Sequence, residues 1–192
     1  MARLIRASMV SLDGYYEDAQ GTIEWSPPEP ELHEHANRAV AGLAAVVMGR
    51  RLYETMVPVW HDVLVTGQLF GEPASDTERE FAAAWDLLPK FVASTTLTEV
   101  HESCQLLEGD AIEAILDLKR STEGDIEVGG GLLADQLDAL GEIEVYHLWI
   151  LPVVVGGGKP FFPAGRARDD LELTDLRRFP EGSVALEYTS RN

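Results

Sequence analysis

Three consecutive glycines, Gly129, Gly130 and Gly131, follow the short apolar run Ile126-Glu127-Val128 and precede a helical pattern, Leu132-Leu133-Ala134-Asp135-Gln136-Leu137. A strand that runs through bare backbone into a helix start constrains this chain more than any other segment. Glycine lets the backbone approach a ligand closely, and the first N–H groups of a helix have no intrahelical acceptor and carry partial positive charge. That arrangement suits a phosphate. Glycine also makes plain tight turns, so the segment by itself supports both readings.

The rest of the chain repeats the strand-then-helix order. Leu4 to Val10 reads as a strand that runs into the turn Ser11-Leu12-Asp13-Gly14. Residues 15 to 30 read as a loop ending in Pro27, Pro28 and Pro30, and Glu31 to Leu43 as a helix with Leu32, Ala36, Ala39, Val40 and Leu43 on one face. Ala44 to Met48 is a wholly apolar strand of the kind buried on both faces. Arg50 to Met56 begin another helix, and 57 to 73 reads as irregular. Further helices are expected at Thr77 to Leu88 and at Ala111 to Arg120, the latter capped by Asp110. Strands are expected at Phe91 to Ala93, Cys104 to Leu107 and Glu144 to Val155. Leu171 to Phe179 and Val184 to Thr189 read as a pair around Pro180-Glu181-Gly182. The fold class is therefore α/β, one domain over residues 1–192, a mixed and mostly parallel sheet with an antiparallel C-terminal edge.

Composition bears on partners and compartment. The 192 residues suffice for a single full core, and no apolar run approaches the roughly 20 residues of a membrane helix. The first residues lack the apolar stretch of a signal peptide, and one cysteine, Cys104, excludes an internal disulfide framework and a CxxC metal site; a cytoplasmic location is expected. No metal site is expected either, since His33 and His35 stand two apart on different helix faces. A net charge of −18 argues against nucleic acid, and any phosphorylated cofactor must find its cations locally, with Arg50, Arg51 and Lys159 as candidates.

In sheets of this kind ligands bind outside the carboxyl ends of the strands. Four such ends are notable: Ser11 to Gly14, Gly49-Arg50-Arg51, Ser94-Thr95-Thr96 and Gly129 to Gly131. Together they could hold a dinucleotide with its pyrophosphate on helix ends, an extra phosphate meeting an arginine and hydroxyls. The order departs from the usual dinucleotide fold. Gly129, Gly131 and Ala134 fit G-x-G-x-x-A, but after a late strand, and the position about 20 residues on, where an acid would close on the ribose, falls in the apolar strand around Leu151.

These residues resemble the dihydrofolate reductase superfamily, and most closely the reductase domain of the riboflavin-biosynthesis deaminase-reductases. The resemblance covers the whole chain. It rests on Ser11 to Gly14, on Val47-Met48-Gly49-Arg50-Arg51-Leu52-Tyr53-Glu54, on Val92-Ala93-Ser94-Thr95-Thr96-Leu97, on Glu127 to Leu133 and on Leu151 to Gly158, in order and spacing. It implies a three-layer α/β/α fold, an NADPH site and a homodimer paired through the C-terminal strands. Gly49, Arg50, Arg51, Ser94 and Thr95 would serve the adenosine phosphates, Gly129, Gly130, Gly131 and Leu132 the pyrophosphate, and Ser11 to Gly14 would lie beside the nicotinamide. The zinc deaminase motif that often accompanies the riboflavin-type reductase is missing. The Trp-x-x-Pro-x-acid signature of genuine dihydrofolate reductases is matched at Trp25 and Pro28, but Pro30 holds the acid's place between Glu29 and Glu31.

The expected activity is hydride transfer from NADPH to a small heterocyclic or ribosylated substrate, pyrimidine- or pterin-like, with Asp13, Glu31 or water supplying the proton. The alternatives are a non-catalytic nucleotide-binding homodimer and an authentic dihydrofolate reductase.

Overall fold

The run Ala45–Met48 is fully buried and lies deep in the sheet, because a strand without a polar face must be covered on both sides. The computed structural model describes residues 1–191. In chain order the first half comprises β1 (Leu4–Ser11), β2 (Tyr15–Asp18), α1 (Pro30–Ala41), β3 (Ala45–Gly49), α2 (Arg50–Thr66), β4 (Gln68–Leu69), β5 (Glu72–Pro73) and α3 (Asp76–Leu87). Then follow β6 (Lys90–Ala93), β7 (Cys104–Leu106), α4 (Ala111–Ser121), β8 (Ile126–Gly129), α5 (Gly131–Ala139) and β9 (Ile143–Leu151). The chain closes with β10 (Gly158–Pro160), β11 (Leu171–Arg178) and β12 (Val184–Ser190).

Eight strands form one sheet in the order β11-β12-β9-β1-β8-β3-β6-β7. All pairs from β9 to β7 are parallel, and β12 joins β9 antiparallel, which gives the mixed sheet expected with its antiparallel edge. Alternation along the strands divides the core. Leu4, Val10, Val47, Ile126, Val128 and Tyr146 face α4 and α5, with Ile115, Leu133 and Leu137 packed on them. Val46, Met48 and Val92 face the other way, under Val57 of α2 and Phe81 and Trp85 of α3. Ala7, Met9, Trp149 and Leu151 share that second face under Leu32 and Ala36 of α1. The result is a three-layer α/β/α sandwich.

Three boundaries differ from expectation. Residues 15–18, read as loop, form β2, which pairs with β10 as a separate two-stranded ribbon. Helix α2 runs past Met56 to Thr66, carrying Pro58 inside it. Tertiary burial of Val57 and Val63 outweighs the roughly 3 kcal/mol cost of an interior proline. Strand β9 ends at Leu151, where Pro152 removes a ladder donor, so 152–157 is loop instead of strand.

Side chains finish what the backbone leaves open at the ends of elements. Ser75 and Glu78 form a reciprocal cap on α3, and Asp110 accepts from Ile112 and Glu113 at the start of α4. Buried Lys90 donates to the carbonyls of Trp85, Leu88 and Asp86 and closes the far end of α3. Helix α1 is fixed differently. Glu29, 7% exposed, accepts from the backbone N–H of Glu181 at 2.7 Å and of Ser183 at 3.0 Å, which ties the helix start to the β11–β12 turn. Burial works against its charge, but the Ser183 hydroxyl and these two amides outweigh it and hold the carboxyl below the usual range.

Glu29→Ala leaves two turn amides without their acceptor and should cost about 1–3 kcal/mol in chemical denaturation. Because the folded-state pKa is depressed, the difference between parent and variant should be full at neutral pH. It should shrink as pH falls through the carboxylate range. A variant as stable as the parent at pH 7 would contradict this role.

Candidate functional site

The chain leaves β3 through α2 toward β6 and leaves β8 through α5 toward β9, on opposite faces and in opposite directions. β3 and β8 are neighbours, with Met48 beside Gly129. This is the switch point of the sheet, where open α/β folds form their ligand crevice. Both helices that start there begin on glycine, Gly49 and Gly130, without a side-chain cap and without an acid in the first turn. The other three helices carry Glu31, Asp76 with Glu78, and Glu113 at the same place. In a chain of −18 charge, the two helix starts at the crevice are the ones kept clear of carboxylates.

Each of the three glycines is required for its own reason. A Cβ on Gly129 would strike the Leu52 side chain, so the α2 packing needs bare backbone there. Gly130 takes φ +98°, a conformation L side chains rarely adopt. A Cβ there would meet only the backbone N of Gly49, at 3.6 Å, so the gap between the two helix starts is lined by amides and open. A Cβ on Gly131 would overlap the Tyr16 hydroxyl, which lies across the start of α5. An open, amide-lined gap with unpaired helix N–H groups fits the diphosphate of a dinucleotide. Exposed Leu132 stands in the first turn of α5 beside it.

The two arginines are separated by their partners. Arg50 donates to Glu54 at 2.7 Å and to the Thr96 hydroxyl at 3.0 Å. Ser94 accepts from the N–H groups of Thr96 and Leu97, which shapes the turn after β6, with exposed Thr95 between them. Arg50, Ser94 and Thr96 therefore form one cationic, hydroxyl-rich corner. Arg51 turns away from it and pairs with Glu17 at 3.1 Å and with the Gly21 carbonyl at 2.9 Å. Lys159 reaches the same Glu17 at 2.8 Å. One buried carboxylate on the β2–β10 ribbon thus engages two of the three expected phosphate cations. No sequence pattern announced Glu17, because its strand was read as loop.

At the end of β1 the Ser11 hydroxyl accepts from Tyr15 N–H and the Ser11 carbonyl from Gly14, which closes the turn. Asp13 accepts from the amides of Gly156 at 2.8 Å and Val155 at 3.2 Å, pinning that turn to the 152–157 loop. The Ser11 hydroxyl and these amides hold its carboxyl below the usual range. An ionised acceptor is a poor proton donor at neutral pH. Glu31 faces solvent in the first turn of α1. Neither residue is brought toward Gly130 by a contact.

Glu127 is a further acid near the site, set within the short strand Ile126–Gly129. It lies on β8 between Ile5 and Val46, both buried, and no hydrogen bond or ion pair to it is found among the described residues. Burial alone pushes its carboxyl up to about 7. A folded-state pKa raised in this way means stability that is full in acid and is lost as pH rises through about 7. Glu127→Gln should therefore match the parent below the ordinary glutamate range and exceed it by about 1–3 kcal/mol in mildly alkaline buffer, at 1.4 kcal/mol per pKa unit. Equal pH dependence of the two melting curves would contradict this.

Comparison with known proteins agrees with the architecture. The family model of the RibD C-terminal domain matches residues 2–185. The uncharacterized protein YyaP of Bacillus subtilis (strain 168) is 28% identical over 97% of this chain and 94% of its own length. Among solved structures, a candidate riboflavin biosynthesis protein from Shewanella sp. PV-4 superposes with a TM-score of 0.73 at 22% identity, covering all of both chains. A pyrimidine reductase-like protein from Corynebacterium diphtheriae gives 0.62 at 13% identity over 100% of this chain and 92% of that one. The diaminohydroxyphosphoribosylaminopyrimidine deaminase/5-amino-6-(5-phosphoribosylamino)uracil reductase of Thermotoga maritima gives 0.68 at 13% identity, with 98% of this chain on 56% of that longer one. At these identities the structural matches speak to fold, and the family model to kinship: the chain belongs to the RibD C-terminal domain family.

Proposed function

We propose that the chain is an NADPH-dependent reductase of a small nitrogen heterocycle, a ribosylated aminopyrimidine of the kind named for the Thermotoga relative or a pterin-like ring. The observation that carries this reading is the pair of acid-free, glycine-started helices meeting at the switch point of the sheet. Gly130, Gly131 and Leu132 offer backbone N–H groups to the diphosphate, with Gly49 opposite. Arg50, Ser94 and Thr96 receive the 2′-phosphate, which a planar guanidinium binds in a fork. Ser11 to Gly14 border the nicotinamide. When bound, the cofactor supplies a hydride, and the protein's part is to orient it and exclude water. An authentic dihydrofolate reductase is disfavoured, because Glu29 is consumed by the β11–β12 turn and Glu31 faces solvent.

NADPH should bind more tightly than NADH. Arg50→Ala should erode that preference by about 1–3 kcal/mol, the range for a charge-assisted pair. Arg51→Ala should leave it largely unchanged, since Arg51 is committed to Glu17 and Gly21. Cofactor titrations followed by nicotinamide fluorescence check both. Equal affinity of the parent for the two cofactors would end the assignment, and substrate screens that consume NADPH with dihydrofolate alone would redirect it.

We further propose a homodimer through the C-terminal strands. Leu173 and Leu176 of edge strand β11 are 47% and 54% exposed, and an unpaired sheet edge carrying large apolar side chains is normally paired or covered. Light scattering at tens of micromolar should give twice the monomer mass, unchanged by reducing agent. Leu176→Lys should shift it to monomer, and a monomeric parent would refute the pairing.

A further inference from the structure

Helix α2 carries a stripe of side chains that the proposed cofactor site does not use. Tyr53, Val57 and His61 follow one another at spacings of four and share one face, and Pro58, Asp62 and Val65 run alongside them. The chain between β6 and β7 passes over this face. There the backbone N–H of His101 donates to the Tyr53 hydroxyl at 3.0 Å, and the His101 ring stands 4.6 Å from the His61 ring, centroid to centroid. His101 Nδ1 is hydrogen-bonded to the Ser103 hydroxyl at 2.9 Å, which fixes that ring. Between helix and loop lies a groove of about 320 Å³, lined by these six helix residues and His101.

Small-ligand sites run from about 300 to 1,000 Å³ and combine apolar walls with a few polar groups. This groove fits that description. The rings of Tyr53, His61 and His101 and the aliphatic Val57, Pro58 and Val65 surround it, and Val65 is left 70% exposed. Asp62 is the one carboxylate of the lining. Its backbone carbonyl accepts from the Thr66 hydroxyl, but its carboxylate has no hydrogen bond or ion pair among the described residues. Glu99 and Glu102 are exposed on the loop, on either side of His101. No arginine or lysine lines the groove. Lys90 lies in the recess behind Val57 and His61, and its ammonium is turned to the carbonyls of Trp85, Leu88 and Asp86. In a chain of −18 charge such a groove repels an anion and attracts a cation. We propose that it binds a small organic cation with a flat aromatic body, the charged group on Asp62 and the ring among Tyr53, His61 and His101. Aromatic π faces attract a cation, and the aliphatic side chains take its body out of water. None of the lining residues belongs to the proposed cofactor site, so the inference stands independently of the reductase reading.

The test uses the full chain and benzamidine as the probe, titrated calorimetrically in mildly alkaline buffer, where free imidazole is uncharged. Benzamide, of the same shape without the charge, and benzoate serve as comparisons. The parent should bind benzamidine roughly fivefold more tightly than benzamide, the scale of an exposed ion pair of good geometry, and should not bind benzoate. Asp62→Asn should lower benzamidine affinity to the level of benzamide and leave benzamide as it was. His61→Ala removes a wall and not the charge, so it should weaken both. Glu113→Gln, which neutralises an exposed acid on α4, should bind benzamidine as the parent does. Amide resonances that move on adding benzamidine should gather at residues 53–65 and 97–103. All three substituted positions are exposed, so the variants should melt with the parent, which separates loss of the site from loss of the fold. No benzamidine binding by the parent, or equal affinity in parent and Asp62→Asn, overturns the proposal. An equal loss in Glu113→Gln also overturns it, since that marks a general attraction of cations to an acidic chain.

Discussion

Two stretches of backbone, at Gly49 and at Gly130, run side by side at the ends of β3 and β8, with the Gly49 nitrogen 3.6 Å from where a Cβ on Gly130 would stand. Most of the architecture follows from this approach. It lies between neighbouring parallel strands whose helices depart on opposite faces. It requires glycine at the crossing, since φ +98° at Gly130 excludes ordinary side chains. It also aims two sets of unpaired N–H groups into a single gap. The same constraint that lets the sheet change direction leaves backbone amides at the switch point, where the proposed cofactor's diphosphate would lie.

Charge distribution bears on the proposed cofactor site in an acidic protein. A surface of −18 would repel a cofactor with several phosphates, and at physiological salt a charge acts over about 8 Å. The local arrangement therefore outweighs the global one. Carboxylates are kept out of the first turns of α2 and α5, while Arg50 stands at one end of the gap and the Glu17–Arg51–Lys159 group at the other. Other acids have work in the fold: Asp13 and Glu29 each hold two backbone amides, and Glu17 binds the β2–β10 ribbon to α2.

Much of this was legible in the sequence, and the exceptions are instructive. The wholly apolar run at Ala45 announced a doubly covered strand, and the turn residues at 180–182 announced the β11–β12 pair. Gly129 to Gly131 announced the strand-to-helix turn at the end of β8. The continuation of α2 past Met56 is not legible locally, because Pro58 disfavours helix and the burial of Val57 and Val63 that decides it is tertiary. The β2–β10 ribbon was invisible because its strands are four and three residues long and their pairing spans some 140 positions. The separation of Arg50 from Arg51 depends on that ribbon and was hidden with it. Glu127 could have been found: an acid in the middle of an otherwise apolar central strand stands out in the sequence.

The account stands on where a dinucleotide sits. A crystal structure of the protein grown with NADPH tests it most directly. The diphosphate should lie between Gly49 and Gly130, within hydrogen-bond distance of the first N–H groups of α5, and the 2′-phosphate should touch Arg50 and Thr96. A cofactor bound elsewhere with that gap empty, or crystals that take up no NADPH at millimolar concentration, would contradict it.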